Sequence, residues 1–269
     1  MSLYTYGLGL GAGLLLRGNV RDALPYLIRP VNYWRAVEYQ LVTRAADFRK
    51  GQRVLDIGSP KLLSVYLADR VGAEVYATDI ENYFMGKMER VRRLRRLPPE
   101  RYHLQVEDGR KLSFPDAFFD KVYAISVVEH IPDEGDTACI QEMRRVLRPG
   151  GRCLITVPFS PVSRVDYRDN FYWAGSSRQE ADGRIFYQRR YSEEDIHNRL
   201  IRPSGMRLHT LRYVGETVMV HSSEELSDRL PLLSAPFQPL LSRLFHTPPV
   251  EDWRALKKPL CAFLVLEKS

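Results

Sequence analysis

Cysteine is scarce in this chain. Cys139, Cys153 and Cys261 are the only three among 269 residues, and they lie far apart in apolar surroundings. An odd, scattered set excludes a disulfide framework and a thiolate metal cage, and predicts reduced core thiols in a cytoplasmic protein. Histidine is as thinly spread. His103, His130, His197, His209, His221 and His246 share no ligand spacing, so no metal is expected. No apolar run is long enough to cross a bilayer. The stretch Leu8 to Leu16 is short, has no basic segment before it and no evident cleavage site after it, which argues against a span or a signal peptide. Repeats and low-complexity tracts are also lacking. Acidic residues fall short of basic ones, leaving a net charge of +7. That sign is compatible with nucleic acid, an anionic membrane or an acidic substrate and requires none of them. Much of the excess is local, in Lys87, Arg90, Arg92, Arg93, Arg95, Arg96 and Arg101, and such a run reads first as a solvated helix face.

What is present is 44% apolar content, enough for a single large domain, organised around Val54-Leu55-Asp56-Ile57-Gly58-Ser59-Pro60-Lys61. An apolar run ending in an acid, a glycine and a break reads as a buried strand, a tight turn and a helix from Leu62 to Arg70. In an open α/β sheet this is where a nucleotide-like ligand binds. Gly58 admits close backbone approach, and Pro60 suits a first helical turn. Ala73 to Asp79 reads as a second strand, and its acid stands where an adenosine-binding sheet accepts hydrogen bonds from both ribose hydroxyls. Tyr102 to Val106 is a third strand, followed by Glu107-Asp108-Gly109, which places an acceptor beside an adenine amino group. A fourth strand starts at Phe119 and runs to the polar pair Glu129-His130 and Ile131. A helix then ends at Arg148-Pro149-Gly150-Gly151, and Arg152 to Pro158 forms a fifth strand.

The order Asp-x-Gly, strand-end acid, Asp-Gly, Phe-Asp-x-Val…Glu-His-Ile and Pro-Gly-Gly resembles class I S-adenosylmethionine-dependent methyltransferases, and within them the broad group that methylates small molecules. The resemblance is strong over roughly residues 50 to 160. It implies a Rossmann-like seven-stranded sheet, mostly parallel with an antiparallel last strand and helices on both faces. It also implies S-adenosylmethionine as cofactor, S-adenosylhomocysteine as product, and cofactor contacts from Asp56, Gly58, Ser59, Pro60, Asp79, Ile80, Asp108, Gly109, Ser126 and Val127. The turn departs from the family in carrying Ser59, Pro60 and Lys61 where further glycines are usual. Ser59 offers a hydroxyl there, and Lys61 either a cation for the methionine carboxylate or an ordinary solvated side chain.

The flanks suggest one domain over 1–269 with a helical lid over 1–50, an aromatic loop insertion over 159–188 and a cap insertion over 216–258. The Leu8 to Leu16 stretch reads as part of the lid, with shallow membrane contact as the alternative. Asn32 to Phe48 is a helix with Tyr33, Trp34, Val37, Leu41 and Val42 near one face and Arg35, Glu38 and Arg44 elsewhere. Tyr33 and Trp34 either touch substrate or seal helix to sheet. Tyr172, Trp173 and Tyr187 are the expected substrate contacts of the aromatic loop. Ser192 caps a helix that Pro203-Ser204-Gly205 ends. Strands over Met206 to Val214 and Leu260 to Leu266 close the sheet, with short broken helices between them.

Transfer of an already activated methyl needs alignment and exclusion of water, and a base only where the acceptor is protonated. His130 with Glu129 is the candidate for that proton. The expected partner is a small-molecule or lipid-like acceptor, with peripheral membrane contact left open. RNA or protein acceptors are less favoured, because a basic run without a recognised module is thin support. A nicotinamide dehydrogenase would need glycines that this turn lacks. A non-catalytic relative that acts through its insertions is the alternative from another class.

Overall fold

The structure, a computed structural model, describes residues 2–58, 62–169, 182–217 and 237–269. Seven strands form the central sheet: β1 (Arg53–Ile57), β2 (Glu74–Asp79), β3 (Tyr102–Val106), β4 (Phe119–Ile125), β5 (Leu147–Pro158), β8 (Arg207–Gly215) and β9 (Pro259–Glu267). Their order is β3-β2-β1-β4-β5-β9-β8. β1 to β5 run parallel, and β9 lies antiparallel between β5 and β8. The chain moves outward from β1 to β3 and then returns to β4 on the other side of β1. That reversal opens a crevice at the carboxyl ends of β1 and β4.

The pleat divides the core in two. Val54, Val75, Tyr123, Leu154 and Val265 face one side, where α1 (Leu3–Leu15), α2 (Val20–Ile28), α3 (Tyr33–Ala46), α4 (Leu62–Tyr66) and α5 (Met85–Leu94) pack. Leu55, Ile57, Val122, Ile155 and Leu264 face the other, against α6 (Gly135–Val146) and α7 (Glu193 to Ser204). Strands buried on both faces read as continuous apolar runs, which is why β1, β4 and β5 stood out in the sequence.

Several expectations are corrected. α1 is not part of a lid: Tyr6, Leu10 and Leu14 are buried in the first core, and the Tyr6 hydroxyl donates to Asp69 Oδ2 at 2.8 Å. Residues four apart on one helical face seal it to α4 and α5. β4 stops at Ile125, because Ser126 turns to φ 48°, and Val128–His130 forms a 3-10 turn. The Pro-Gly-Gly segment does not precede β5 but lies within it, with Gly150 at φ 72°. The aromatic insertion contains an antiparallel pair, β6 (Arg164–Arg168) and β7 (Ile185–Arg190). Tyr172 and Trp173 lie outside the described residues, as do Ser59, Pro60 and Lys61 and the Leu230 to Pro236 part of the cap.

The described part of the cap holds the helix Gln238–Phe245, which packs on α3. The Gln238 side chain accepts from the Tyr33 N–H at 3.1 Å, and the His246 ring lies 4.3 Å from Tyr33 and 5.0 Å from Trp34 between centroids. Burial pushes the His246 imidazole below its ordinary 6.5. As pH falls below that value the unfolded imidazole takes its proton first, so this packing is at full strength above 6.5 and weakens below it. The expected result is a change in Trp34 fluorescence between about pH 7 and pH 5 that is reduced in His246→Gln. Equal profiles for the two proteins would remove His246 as the cause.

Candidate functional site

The carboxyl ends of β1, β2, β4 and β5 open into a cavity of about 470 Å³, of the size small-molecule sites have. From β1 it is lined by Ile57 and Gly58, and from β2 by Asp79 and Ile80. Gly58 has φ 78°, and a Cβ there would stand 2.4 Å from Val127 Cγ1. Glycine is therefore required twice, by its backbone conformation and by the close approach of the loop after β4. Gly58→Ala is expected to destabilise the fold by about 1–3 kcal/mol through the left-handed backbone alone, and more through displacement of Val127. Thermal melts would show it; an unchanged midpoint would contradict the close approach.

Asp79 is 6% exposed, and its Oδ1 accepts from the Glu81 N–H at 3.0 Å. Beyond β3, Glu107, Asp108, Gly109 and Arg110 complete that side. The Arg110 guanidinium forks onto Asp108, with Nε to Oδ1 at 2.9 Å and Nη2 to Oδ2 at 2.7 Å, and holds this carboxyl below its ordinary value. The Arg110 N–H donates to Asp108 Oδ1 as well, at 2.9 Å, so Oδ2 is the oxygen left to accept from a ligand.

The opposite wall comes from α3. Asn32, Trp34, Arg35 and Glu38 line the cavity. Glu38, expected off the apolar face of this helix, is 2% exposed. Its Oε1 accepts from Thr156 Oγ1 at 2.7 Å and from Ser126 Oγ, and its Oε2 pairs with Arg35 Nη1. One carboxylate thus fastens α3 to the ends of β4 and β5. The signal in the sequence was the polar residues Ser126 and Thr156 closing otherwise apolar strands.

Ser126, Val127, Glu129 and His130 line the floor, and Tyr187, Gln188 and Arg190 of β7 face them. His130 Nδ1 lies 2.7 Å from the Tyr187 carbonyl oxygen. A carbonyl only accepts, so Nδ1 carries the hydrogen and Nε2 is the acceptor nitrogen of the neutral ring. Nε2 stands 3.9 Å from Glu129 Oε1, and Glu129 is 1% exposed.

Two expected contacts fall elsewhere. Asp56 is 5% exposed and shares a strand face with Val54, the face on which α3 packs, and it is not among the residues that line the cavity. Burial first, and then the Asp56 carboxylate, push the Tyr123 hydroxyl well above its ordinary value. Tyr33 is buried with its hydroxyl donating to Glu216 Oε1 at 2.9 Å, and it seals the cap to α3 instead of lining the cavity. Leu260 and Cys261 of β9 line the cavity without having been foreseen. Burial pushes the Cys261 thiol up, as expected of a core thiol.

Residues 55–155 match a family described as methyltransferase domain. Over 128 residues the chain is 39% identical to the ubiquinone/menaquinone biosynthesis C-methyltransferase UbiE of Bordetella avium, covering 44% of this chain and 45% of that protein. The chain spans less than half the length of the curated relatives it matches. Among solved structures it is similar to an S-adenosylmethionine dependent methyltransferase from Mesorhizobium loti, with TM-score 0.52, 16% identity, and coverage of 87% of this chain and 98% of that one. The cyclase SpnF superposes with TM-score 0.57 at 18% identity, over 88% of this chain and 86% of that one. At these identities the structural likeness establishes the Rossmann-like fold and leaves the chemistry to the site.

Proposed function

We propose, from the match of residues 55–155 to the methyltransferase-domain family, that the chain is an S-adenosylmethionine-dependent methyltransferase acting on an oxygen, nitrogen or carbon of a small-molecule or lipid-like acceptor. The observation that carries this reading is the convergence of Gly58, Asp79 and Asp108 from three strand ends on one cavity. A side-chain-free turn, a buried acid and a second acid suit the methionine portion, the ribose and the adenine of the cofactor. When bound, the cofactor supplies a sulfonium methyl already activated for in-line displacement.

The protein's own part is to hold and to exclude. Asp79 accepts from the ribose hydroxyls, and Asp108 from the adenine amino group. Arg35, fixed by Glu38, presents a cation from α3 to the cavity wall. Trp34 and Tyr187 bound the acceptor side and restrict water. His130 Nε2 takes the proton of a hydroxyl or ammonium acceptor, while the Tyr187 carbonyl fixes the ring's tautomer. An acceptor without such a proton uses His130 for position only.

Calorimetric titration with S-adenosylmethionine and S-adenosylhomocysteine tests the cofactor, and transfer of labelled methyl to hydroxylated small molecules and isoprenoid lipids tests the acceptor. Saturable binding with methyl transfer is expected. Binding without transfer to any acceptor would favour the non-catalytic alternative, and failure of both ligands to bind would overturn the reading.

A further inference from the structure

The helix Gln238–Phe245 is amphipathic in the unusual sense. Gln238, Ser242 and His246, four residues apart, are 2%, 2% and 8% exposed, whereas Phe237, Leu240 and Leu244 are 58%, 55% and 61% exposed. The polar stripe is turned inward because α3 and the cap use it. Gln238 accepts from the Tyr33 N–H, and the His246 ring packs on Tyr33 and Trp34. The three large apolar side chains follow one another at three- and four-residue spacing and therefore share the outward face. Solvent is a poor environment for such a stripe, and contiguous exposed apolar surface marks a docking face.

Charge identifies what the face suits. From Phe237 to Val250 the chain contains Arg243, which is exposed, and no acidic residue, in a protein of net charge +7. The carboxylates nearest in the chain and sheet, Glu251 and Glu216, are paired with Arg212 and Lys258, so an apolar stripe flanked by a long basic side chain is complementary to the boundary between acyl chains and anionic headgroups. The arginine stem can follow the apolar surface while its guanidinium reaches phosphate. The helix also adjoins the cavity, since its buried face touches Trp34, which lines it.

We propose that the Gln238–Phe245 helix is a membrane-docking element that inserts Phe237, Leu240 and Leu244 into an anionic lipid surface and brings the Trp34 rim of the cavity to that surface. The delivery of an amphiphilic acceptor from the bilayer to the cavity rests on the methyl-transfer reading above; the docking does not. Among the described residues no helix is long and apolar enough to cross a membrane, so the contact is peripheral.

A second apolar tip supplies the control. Leu16 is 89% exposed at the end of α1, which runs from Leu62, beside Gly7, to Leu94, beside Gly13. Leu62 starts the helix after β1 and Leu94 ends the helix after β2, so this tip lies at the sheet edge opposite the cavity. The experiment is flotation of the full chain with phosphatidylcholine vesicles, with and without phosphatidylglycerol, for the wild type, Leu240→Glu/Leu244→Glu and Leu16→Glu. The expected result is binding that requires phosphatidylglycerol, is weakened roughly tenfold or more in the double variant, and is retained in Leu16→Glu. Titration with S-adenosylhomocysteine accompanies each protein and should give equal affinities, which shows that the double variant is folded. No flotation of the wild type, equal flotation of the double variant, or loss confined to Leu16→Glu would each overturn the proposal. So would a concentration-dependent dimer that Leu240→Glu/Leu244→Glu abolishes in a wild type that does not float, since the face would then pair two copies of the chain. Flotation in a protein that binds no S-adenosylhomocysteine would keep the docking and remove the methyl-transfer reading.

Discussion

Asp79→Ala is expected to weaken S-adenosylhomocysteine binding by roughly a hundredfold. A carboxylate accepting from two ribose hydroxyls makes two charge-assisted bonds of about 1.5–3 kcal/mol each, of which the variant recovers part through water. The remainder of the structure should tolerate the change. Asp79 ends β2, its backbone pairs with Val106 of β3, and its carbonyl accepts from the Glu107 N–H at 2.9 Å. The side chain gives up the Glu81 N–H bond at 3.0 Å, at a rim where water can replace it. A melting temperature close to wild type together with the lost affinity would assign the effect to the ligand. Asp79→Asn keeps an acceptor without the charge and should fall between the two. Wild-type affinity in Asp79→Ala would show that the ribose, or the adenosine as a whole, is not what this strand end holds.

The centre of the sheet was legible because β1, the second half of β5 and β9 are buried on both faces. β3 was foreseen at Tyr102 and Val106, the closing strands to within a residue or so at either end, and the Ser192 cap of α7 forms with Asp195 as its reciprocal partner. Local chemistry decides such elements: continuous apolar runs, caps and stops. What escaped was decided by distant partners. Glu38 falls off the apolar face of its helix in the sequence pattern, and only the meeting of α3 with Ser126 and Thr156, far along the chain, makes it a buried fastening. Asp56 read as a ligand contact because it stands at the right place in the motif, yet the alternation of the pleat sends it to the α3 side with Val54. Tyr33 and Trp34 are adjacent and looked equivalent. One seals the cap through Glu216 and the other lines the cavity, a division set by the packing of the Gln238–Phe245 helix that no local pattern encodes. The β6–β7 pair was missed for a different reason: its strands are only partly buried and rich in arginine, so their alternation is weak in apolar content.

Asp136→Ala is expected to lower stability by about 3–5 kcal/mol, the scale for stranding buried charges by removal of their partner. Asp136 is completely buried at the start of α6. Its oxygens accept from the Tyr191 hydroxyl at 2.8 Å, from Arg199 Nε and Nη2 at 2.9 and 2.8 Å, and from Arg189 Nη1 at 3.2 Å. The side chains of Arg189 and Arg199 are themselves 11% and 19% exposed, so neither guanidinium can recover full hydration when the carboxylate is gone. The Thr137 N–H, which donates to the same carboxylate at 2.8 Å, loses its partner as well. Against a total of about 5–15 kcal/mol for a typical domain this is a large fraction, and it should appear as a lower urea midpoint at unchanged slope. Asp136→Asn keeps the size and one carbonyl acceptor and should lose less. The consequence extends to the site, because the same carboxylate ties β7 and α7 to α6, and β7 supplies the Tyr187 carbonyl that orients His130. Below its lowered melting point Asp136→Ala should therefore keep the cofactor affinity proposed for residues on β1, β2 and beyond β3, while losing methyl transfer to acceptors that carry a proton. Equal loss of affinity and transfer would mean that the fold, and not the placement of His130, depends on Asp136.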